Sequence, residues 1–455
     1  MGRAHLKGGW APSRRADLGR DASAQQRDAR SGLTLHLCRG NCPHTCTRES
    51  EAVTAGRRSP GRRPSWRYAF FVQRRLTSKL KHLILECYVK EFAYYLGSVR
   101  PSLYYVDGFA GPGTYRKQNG QTEPGSPVLV AELAKRLQKT NAPFQLKCLN
   151  VETDPFLFQT LEEVTATFRP HIVEKNFLGS FTQALPDVLQ RIGNAPAFFF
   201  IDPFGTKGIA FTDLLPIFGR QAVTEVLITL HTDGIAKKAG YFALMDDPDA
   251  RKQRLAQVFT HMLAAALSVR WDELRSWWRE SVEGRQGGAD AFEERVLRHY
   301  LTILRSANTK FRFTKALPVY YYREDEPPGD EAPVCFHLVF GTGHKKGLYE
   351  MNNCMVGAVR RFYNEEYGQT FFPLFLEQLN EANAARRLEE EIPRCFGSRF
   401  FTIDEVKQQL MQDTGLLIGE RGYRDAVIKL LKTGRLQRVD AGRIKNEKTR
   451  FRVVS

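Results

Sequence analysis

The chain has 455 residues, 42% of them hydrophobic and 26% charged, enough for a packed core and unlike the composition of a wholly disordered protein. Its net charge of +17 is unevenly placed: residues 1–70 carry 14 Lys and Arg against 5 Asp and Glu, residues 396–455 carry 13 against 7, and the stretch between carries 40 against 38. A near-neutral body thus lies between two basic ends, with no apolar run long enough for a transmembrane helix and no apolar segment in the charged first 30 residues to serve as a secretory signal.

Arg14-Arg15 lacks the apolar run of a twin-arginine signal, and His36 is wrong for a lipoprotein cleavage site before Cys38. A cytoplasmic protein with reduced thiols is expected. Most of its eight cysteines lie in apolar periodic segments, as Cys87, Cys148 and Cys335 do.

Residues 1–70 read as a disordered basic extension rich in Arg, Gly, Ser and Ala. Cys38, Cys42, His44 and Cys46 within it could clip a metal, but there is no second paired cluster and no hydrophobic frame, so no metal site is expected.

From residue 78 helices and strands alternate. A helix is predicted over Lys79–Leu96, with Leu80, Leu83, Ile84, Cys87, Tyr88 and Phe92 on one face. A strand over Leu103–Val106 runs into a glycine-rich loop, and a helix starts at Ser126 with Pro127 in its first turn. Strands follow at Leu146–Val151 and near His171–Glu174, each leading into a helix. Ala197–Ile201 is wholly apolar, as a strand buried on both faces should be. A helix at about Phe211–Phe218 and a strand at Glu225–Leu230 complete five βα repeats, the pattern of a doubly wound α/β sheet.

Residues 235–309 read as a helical insertion. Phe311–Tyr322 and Val334–Phe340 then read as a hairpin around an acidic loop. A parallel sheet finished by an antiparallel hairpin is the plan of class I methyltransferases, and the Rossmann-like domain is expected to span residues 71–395. Residues 396–455 form a smaller unit. Short helices at Phe401–Met411 and Tyr423–Leu431 precede strands at Leu436–Asp440 and Thr449–Val454, joined by a basic turn. That is a winged-helix pattern. Arg424, Lys429, Lys432, Arg443, Lys445 and Lys448 are its candidate nucleic-acid contacts. A docking module with a solvated basic face is the alternative.

Three motifs carry possible chemistry. Asp107-Gly108-Phe109-Ala110-Gly111-Pro112-Gly113 follows the first strand, where ligands bind in such sheets. Glycines let backbone approach a nucleoside, and Asp107 suits a cationic ligand end. Pro112 departs from the dinucleotide fingerprint. Glu152, at the next strand end, suits ribose hydroxyls. Asp154, two residues on, suits the same site or a helix cap. Asp202-Pro203-Phe204-Gly205-Thr206-Lys207 resembles the Asp/Asn-Pro-Pro-aromatic loop of enzymes that methylate exocyclic amines. There the acid and a carbonyl accept the amino hydrogens and an aromatic ring stacks on an unstacked base. Here Phe204 replaces the second proline and Gly205 stands at the aromatic position. Lys207 could hold a substrate anion. Glu174 and Asn176 are softer candidates for adenine contacts after the third strand, and Thr229, His231 and Asp233 could line the same mouth.

In combination, Lys79…Leu83-Ile-Leu, Tyr104-Tyr-Val-Asp-Gly-Phe-Ala-Gly-Pro-Gly113, Gly125-Ser-Pro127, Val151-Glu-Thr-Asp154, Phe199-Phe-Ile-Asp-Pro-Phe-Gly-Thr-Lys-Gly208 and Thr224-Glu-Val-Leu-Ile228 resemble the three-Cys-motif partner family (TcmP) over residues 75–455. The resemblance implies a methyltransferase-like domain with a C-terminal winged helix. It also implies a partner protein that bears the three-cysteine motif. The reading that follows is an S-adenosylmethionine-dependent methyltransferase-like protein acting on a base amino group. The alternative is a non-enzymatic binding protein on a Rossmann scaffold.

Overall fold

The computed structural model describes residues 75–116, 121–140, 142–205, 210–284, 287–306, 308–322, 332–368, 381–413, 417–440 and 449–454. The basic extension with its cysteines, Lys207, the acidic hairpin loop, and Arg443, Lys445 and Lys448 lie outside these residues. Among the described residues no helix is long and apolar enough to cross a membrane.

Helix α1 (Leu76–Gly97) buries Leu80, Ile84, Tyr88, Phe92 and Leu96, a row with four-residue spacing. Strand β1 (Ser102–Asp107) follows. The glycine-rich loop after it continues into a small hairpin, β2 (Thr114–Arg116) and β3 (Thr122–Pro124). Helix α2 (Ser126–Lys139) carries Pro127 in its first turn, as predicted. Strand β4 (Gln145–Glu152) leads to α3 (Pro155–Thr165), and β5 (Val173–Leu178) to α4 (Phe181–Ile192). A reciprocal box between Ser180 and Gln183 caps α4. Strand β6 (Ala197–Ile201), α5 (Phe211–Phe218) and β7 (Thr224–Leu230) complete the repeats.

The insertion holds α6 (Thr232–Ala239), α7 (Ala250–Leu267), α8 (Trp271–Trp278) and α9 (Gly288–Leu304). The hairpin is β8 (Phe313–Tyr320) and β9 (Val334–Thr342). The main sheet has the order β5-β4-β1-β6-β7-β9-β8. Its first five strands are parallel, and β9 inserts antiparallel between β7 and β8. This is the doubly wound, class I methyltransferase-like sheet that the pattern implied.

Alternate residues of each strand feed two cores. Tyr105, Phe198, Phe200 and Leu227 pack under α1, α2 and α10 (Lys345–Tyr367). Tyr104, Phe199, Ile201 and Val226 pack under α4, α5 and the insertion helices. Strand β6 is apolar at every position because it serves both.

Helix α10 runs antiparallel to α1. Lys79 pairs with Glu365 and Glu366 at one end of the pair, and Tyr95 Oη meets His344 Nδ1 at 3.2 Å at the other. Midway, Cys87 and Cys354 form a disulfide with 5.6 Å between Cα atoms. This corrects the expectation of reduced thiols for that pair. The two residues are 267 positions apart, so only the packing of α1 on α10 brings them together. Cys148, Cys335 and Cys395 are not disulfide-bonded.

The C-terminal elements are α11 (Glu381–Phe396), β10 (Phe401–Thr402), α12 (Ile403–Asp413), α13 (Glu420–Lys432), β11 (Leu436–Arg438) and β12 (Arg450–Val453). The strands form a three-stranded antiparallel sheet in the order β10-β12-β11. These elements share one core with Leu348 and Tyr349 of α10. Helix α11 contributes Ala384, Leu388, Ile392 and Phe396 to that core. Phe401 and Thr402, predicted to open a helix, form the short strand β10 instead.

Candidate functional site at the carboxyl edge of the sheet

Parallel pairing puts the ends of β1, β4, β6 and β7 on one edge. Asp107 lies opposite Asn150 on one side and Phe200 on the other. Glu152 closes β4 opposite Leu178, and Asp202 follows Ile201, which faces Ile228. The glycine-rich loop folds back over these ends. The N–H of Gly108 donates to Phe200 O (3.0 Å), that of Ala110 to Val151 O (2.9 Å), and that of Gly111 to Glu152 Oε2 (2.8 Å). Gly111 and Gly113 have φ of 58° and 76°, where a side chain is disfavoured. A Cβ on Gly113 would also lie 2.9 Å from Val164. Phe109 is half-buried, its ring 5.8 Å from that of Phe181.

Asp107 is fully buried. Its carboxyl accepts from Tyr105 Oη (2.8 Å), Phe109 N (3.1 Å) and the Ser126 side chain. Burial pushes its pKa up to about 6 against these bonds, and neighbouring Asp202 pushes the same way. Asp107 thus ties the start of the glycine-rich loop to β1. Glu152 accepts from Gly111 N with one oxygen and from Asp154 N (2.6 Å) with the other. Asp154 takes the helix-cap alternative: its Oδ1 accepts from Phe156 N (2.9 Å) and Leu157 N (3.4 Å) at the start of α3. The exposed side chains Phe156 and Leu178 flank Glu152 in sequence and in register.

On the β6–β7 side Asp202 binds Lys81, which reaches in from the first turns of α1. Lys81 is 7% exposed, and its Nζ stands 5.2 Å from the centroid of the Phe336 ring. Desolvation raises the Asp202 carboxyl, but the Lys81 ammonium, together with Thr229 and His231, holds the group below its usual range. His231 caps the edge after β7. Its Nε2 lies 3.2 Å from Pro203 O, and its ring meets Phe336 edge-on at 5.4 Å. Desolvation lowers its pKa to about 4, so the ring is neutral at pH 7 and Nε2 carries the proton given to Pro203. Pro203 is buried and Phe204 half-buried. Gly205 has φ of 72° with open space where a Cβ would stand.

Two softer candidates move away from this edge. The third strand starts two residues later than predicted, at Val173, because Ile172 N is still bonded to Phe168 O in the preceding turn. Glu174 and Asn176 therefore lie within β5. Glu174 joins Tyr104, Lys147 and Arg191 in an ion cluster. Asn176 is buried against Asn150, Glu162 and Thr165. The residues that reach the edge there are Leu178 and Gly179.

Lys81 and Phe336 were not singled out in the sequence. Lysine in an amphipathic helix reads as solvated, and Phe336 reads as ordinary strand core. Asp233, further along, accepts from Tyr321 Oη and pairs with Lys237 at 2.8 Å.

The candidate nucleic-acid contacts divide. Lys429 pairs with Glu389 of α11 at 2.7 Å, whereas Arg424 and Lys432 are exposed and form no ion pair among the described residues.

No family model matches the chain, and no curated protein does. Solved structures with a partial likeness include protein LPL1258 from Legionella pneumophila, described under family model DUF519. It is 10% identical over 64% of this chain and 93% of that one, with a TM-score of 0.33. The O-methyltransferase TomG from Streptomyces achromogenes, in complex with SAM, is 12% identical over 61% and 95%, with a TM-score of 0.27. The Bacillus subtilis tRNA methyltransferase TrmK is 11% identical over 73% and 96%, with a TM-score of 0.21. The fold is read from the sheet order, not from these likenesses.

Proposed function

We propose that this protein is an S-adenosylmethionine-dependent methyltransferase-like protein that acts on a base amino group of nucleic acid. The observation that carries the reading is the meeting of Glu152, the glycine-rich loop and Asp202 on the carboxyl edge of a methyltransferase-like sheet. The residues fit the cofactor. A carboxylate at the end of β4 is the group that suits a ribose diol, and the backbone amides of Gly111 and Asp154 fix its orientation there. Exposed Phe156 and Leu178 offer apolar surface beside it for an adenine. Glu152 and the backbone of residues 108–113 would hold the nucleoside, with Asp107 bracing the loop. The cofactor supplies a methyl group activated by its sulfonium, so the protein's part is mainly positioning.

On the target side Asp202 and the Pro203 carbonyl are acceptors, the set that suits an amino group, and Phe204 is the nearest ring in sequence for stacking. The C-terminal unit, whose elements follow in winged-helix order, would contact phosphates through Arg424 and Lys432. By the resemblance to the TcmP family, a three-Cys-motif protein is the expected partner. The Lys81 contact to Asp202 gives a second reading some support: a lysine that fills the acceptor makes the domain a non-catalytic scaffold.

Calorimetric titration with S-adenosylmethionine tests the cofactor half. Binding by the wild type and an affinity loss of roughly 10–100-fold for Glu152→Ala are expected, the worth of hydrogen bonds to a charged group. No binding by a folded sample would remove the cofactor. Transfer of labelled methyl to mixed nucleic acid separates enzyme from scaffold.

A further inference from the structure

We infer that Lys81 is a positioning residue, which aims the Asp202 carboxylate at the target group from helix α1. This rests on the reading of Asp202 as the target-side acceptor. The backbone turns left-handed at Gly205, three residues after Asp202. Two contacts from other elements fix the residues at the start of this turn. Lys81 binds Asp202 at the loop's first residue, and His231 binds the carbonyl of Pro203 at its second. Phe336 of β9 backs both, beneath the Lys81 ammonium and against the His231 ring. The result is a cradle that presents the Asp202 carboxylate and the Pro203 carbonyl in fixed positions. Two acceptors so placed suit a substrate that donates, an amine or amide nitrogen bearing hydrogens.

The charged and polar groups around Asp202 come from three sides: Lys81 on α1, Asp107 on β1, and Thr229 and His231 at the end of β7, with Lys238 acting on His231. Lys81 is the cation that holds the Asp202 carboxyl low despite its burial. Without it, desolvation pushes the carboxyl up against only Thr229 and His231, so Asp202 would take a proton more readily.

The test uses the full chain as wild type, Lys81→Met, Lys81→Arg and Asp202→Asn. Methyl transfer to mixed-sequence single-stranded DNA and RNA is followed from pH 5 to 9, together with calorimetric affinity for S-adenosylmethionine. Lys81→Met is expected to leave that affinity within about twofold. It should lower kcat by roughly 100-fold near pH 6 and move the acid limb of the profile up by about one unit or more. Lys81→Arg should restore the wild-type limb. An unchanged limb in Lys81→Met overturns the inference. A readout independent of transfer is the infrared band of a protonated carboxyl. Asp107 and Glu225 already contribute to it in wild type, so the expected sign is added intensity in Lys81→Met between pH 5 and 8 that Lys81→Met/Asp202→Asn loses. If wild type binds cofactor but transfers nothing, the proposed activity fails, and the band alone decides whether Lys81 governs Asp202. Should Lys81→Met not fold, Lys81→Gln, which keeps a donor without the charge, replaces it under the same criteria.

Discussion

The two edges of the sheet are built differently. At the carboxyl edge Asp107, Glu152 and Asp202 are held by loop amides, a tyrosine and a lysine, and the backbone turns on left-handed glycines. The amino edge is sealed around a buried acid. Glu225, at the start of β7, is buried and accepts from Tyr88 Oη and Thr342 Oγ1, both at 2.7 Å. Just beyond it the C-terminal unit is pinned to α10 and β8. Tyr349 Oη donates to Asp404 (2.7 Å), Asn352 Nδ2 to Ile418 O (2.9 Å), and Thr314 N to Gln412 Oε1 (3.1 Å). Chain direction explains the placement. Strand β9 is antiparallel, so it ends opposite Glu225, and α10 departs from the edge away from the candidate site. The basic unit is therefore a fixed extension across the sheet from Glu152 and Asp202. Strands of five to eight residues set that separation at roughly 17–26 Å.

Gly347 offers the most severe way to break the amino edge. A Cβ there would lie 2.4 Å from Glu225 Oε1, 2.7 Å from Thr342 Oγ1 and 3.1 Å from Tyr88 Oη, so it strikes every member of the network. Gly347→Ala is expected to cost roughly 4 kcal/mol through overpacking and lost buried hydrogen bonds. Urea unfolding measures this. A loss below about 1 kcal/mol would mean the edge is loose and the C-terminal unit less fixed than described.

The same network carries a pH signature. Burial raises the Glu225 pKa from 4.5 to about 7, against the two hydrogen bonds that lower it. A raised acid binds more protons folded than unfolded. Its contribution is fully present below the unfolded value and is lost as pH rises through the folded one. Wild type should thus lose on the order of 3 kcal/mol between about pH 4.5 and 8 that Glu225→Gln does not lose. Melting both proteins at pH 5 and pH 8 checks it. Parallel curves would show that Glu225 is ionised in the fold at both pH values.

Much of this architecture could be read from residue pattern. Five βα repeats, the doubly apolar β6 and the terminal hairpin specify the sheet, because burial on one or two faces dictates each pattern. The edge motifs at Asp107, Glu152 and Asp202 were legible for the same reason: they interrupt apolar strands with small and acidic residues. What escaped depends on contacts distant in sequence. Lys81 meets Asp202 across 121 residues, and Cys87 meets Cys354 across 267. Neither leaves a local signal. The long helix α10 passed unnoticed although its buried face recurs at Leu348, Met351, Cys354, Met355 and Val359, the spacing of an ordinary amphipathic helix. Glu174 was misplaced by a two-residue error at a strand start, enough to exchange an edge position for an interior one.

The smallest expected effect is also the most specific to the comparison. If nucleic acid meets the C-terminal unit, Arg424 and Lys432 should contribute fully, because no intramolecular ion pair among the described residues offsets them. Lys429 should contribute less, since contact would require it to leave Glu389. Each phosphate contact adds about 0.9 to the salt slope on duplex DNA. Arg424→Ala/Lys432→Ala should therefore reduce the slope by up to about 1.8, and Lys429→Ala by clearly less than 0.9. Neither change should alter affinity for S-adenosylmethionine, because the charges lie across the sheet from Glu152. Equal effects of all three residues would mean that the Glu389 pair opens freely. A change in cofactor affinity would mean that the two edges communicate, and the rigid separation drawn from the strand directions would have to give way to coupling through α10 and α1.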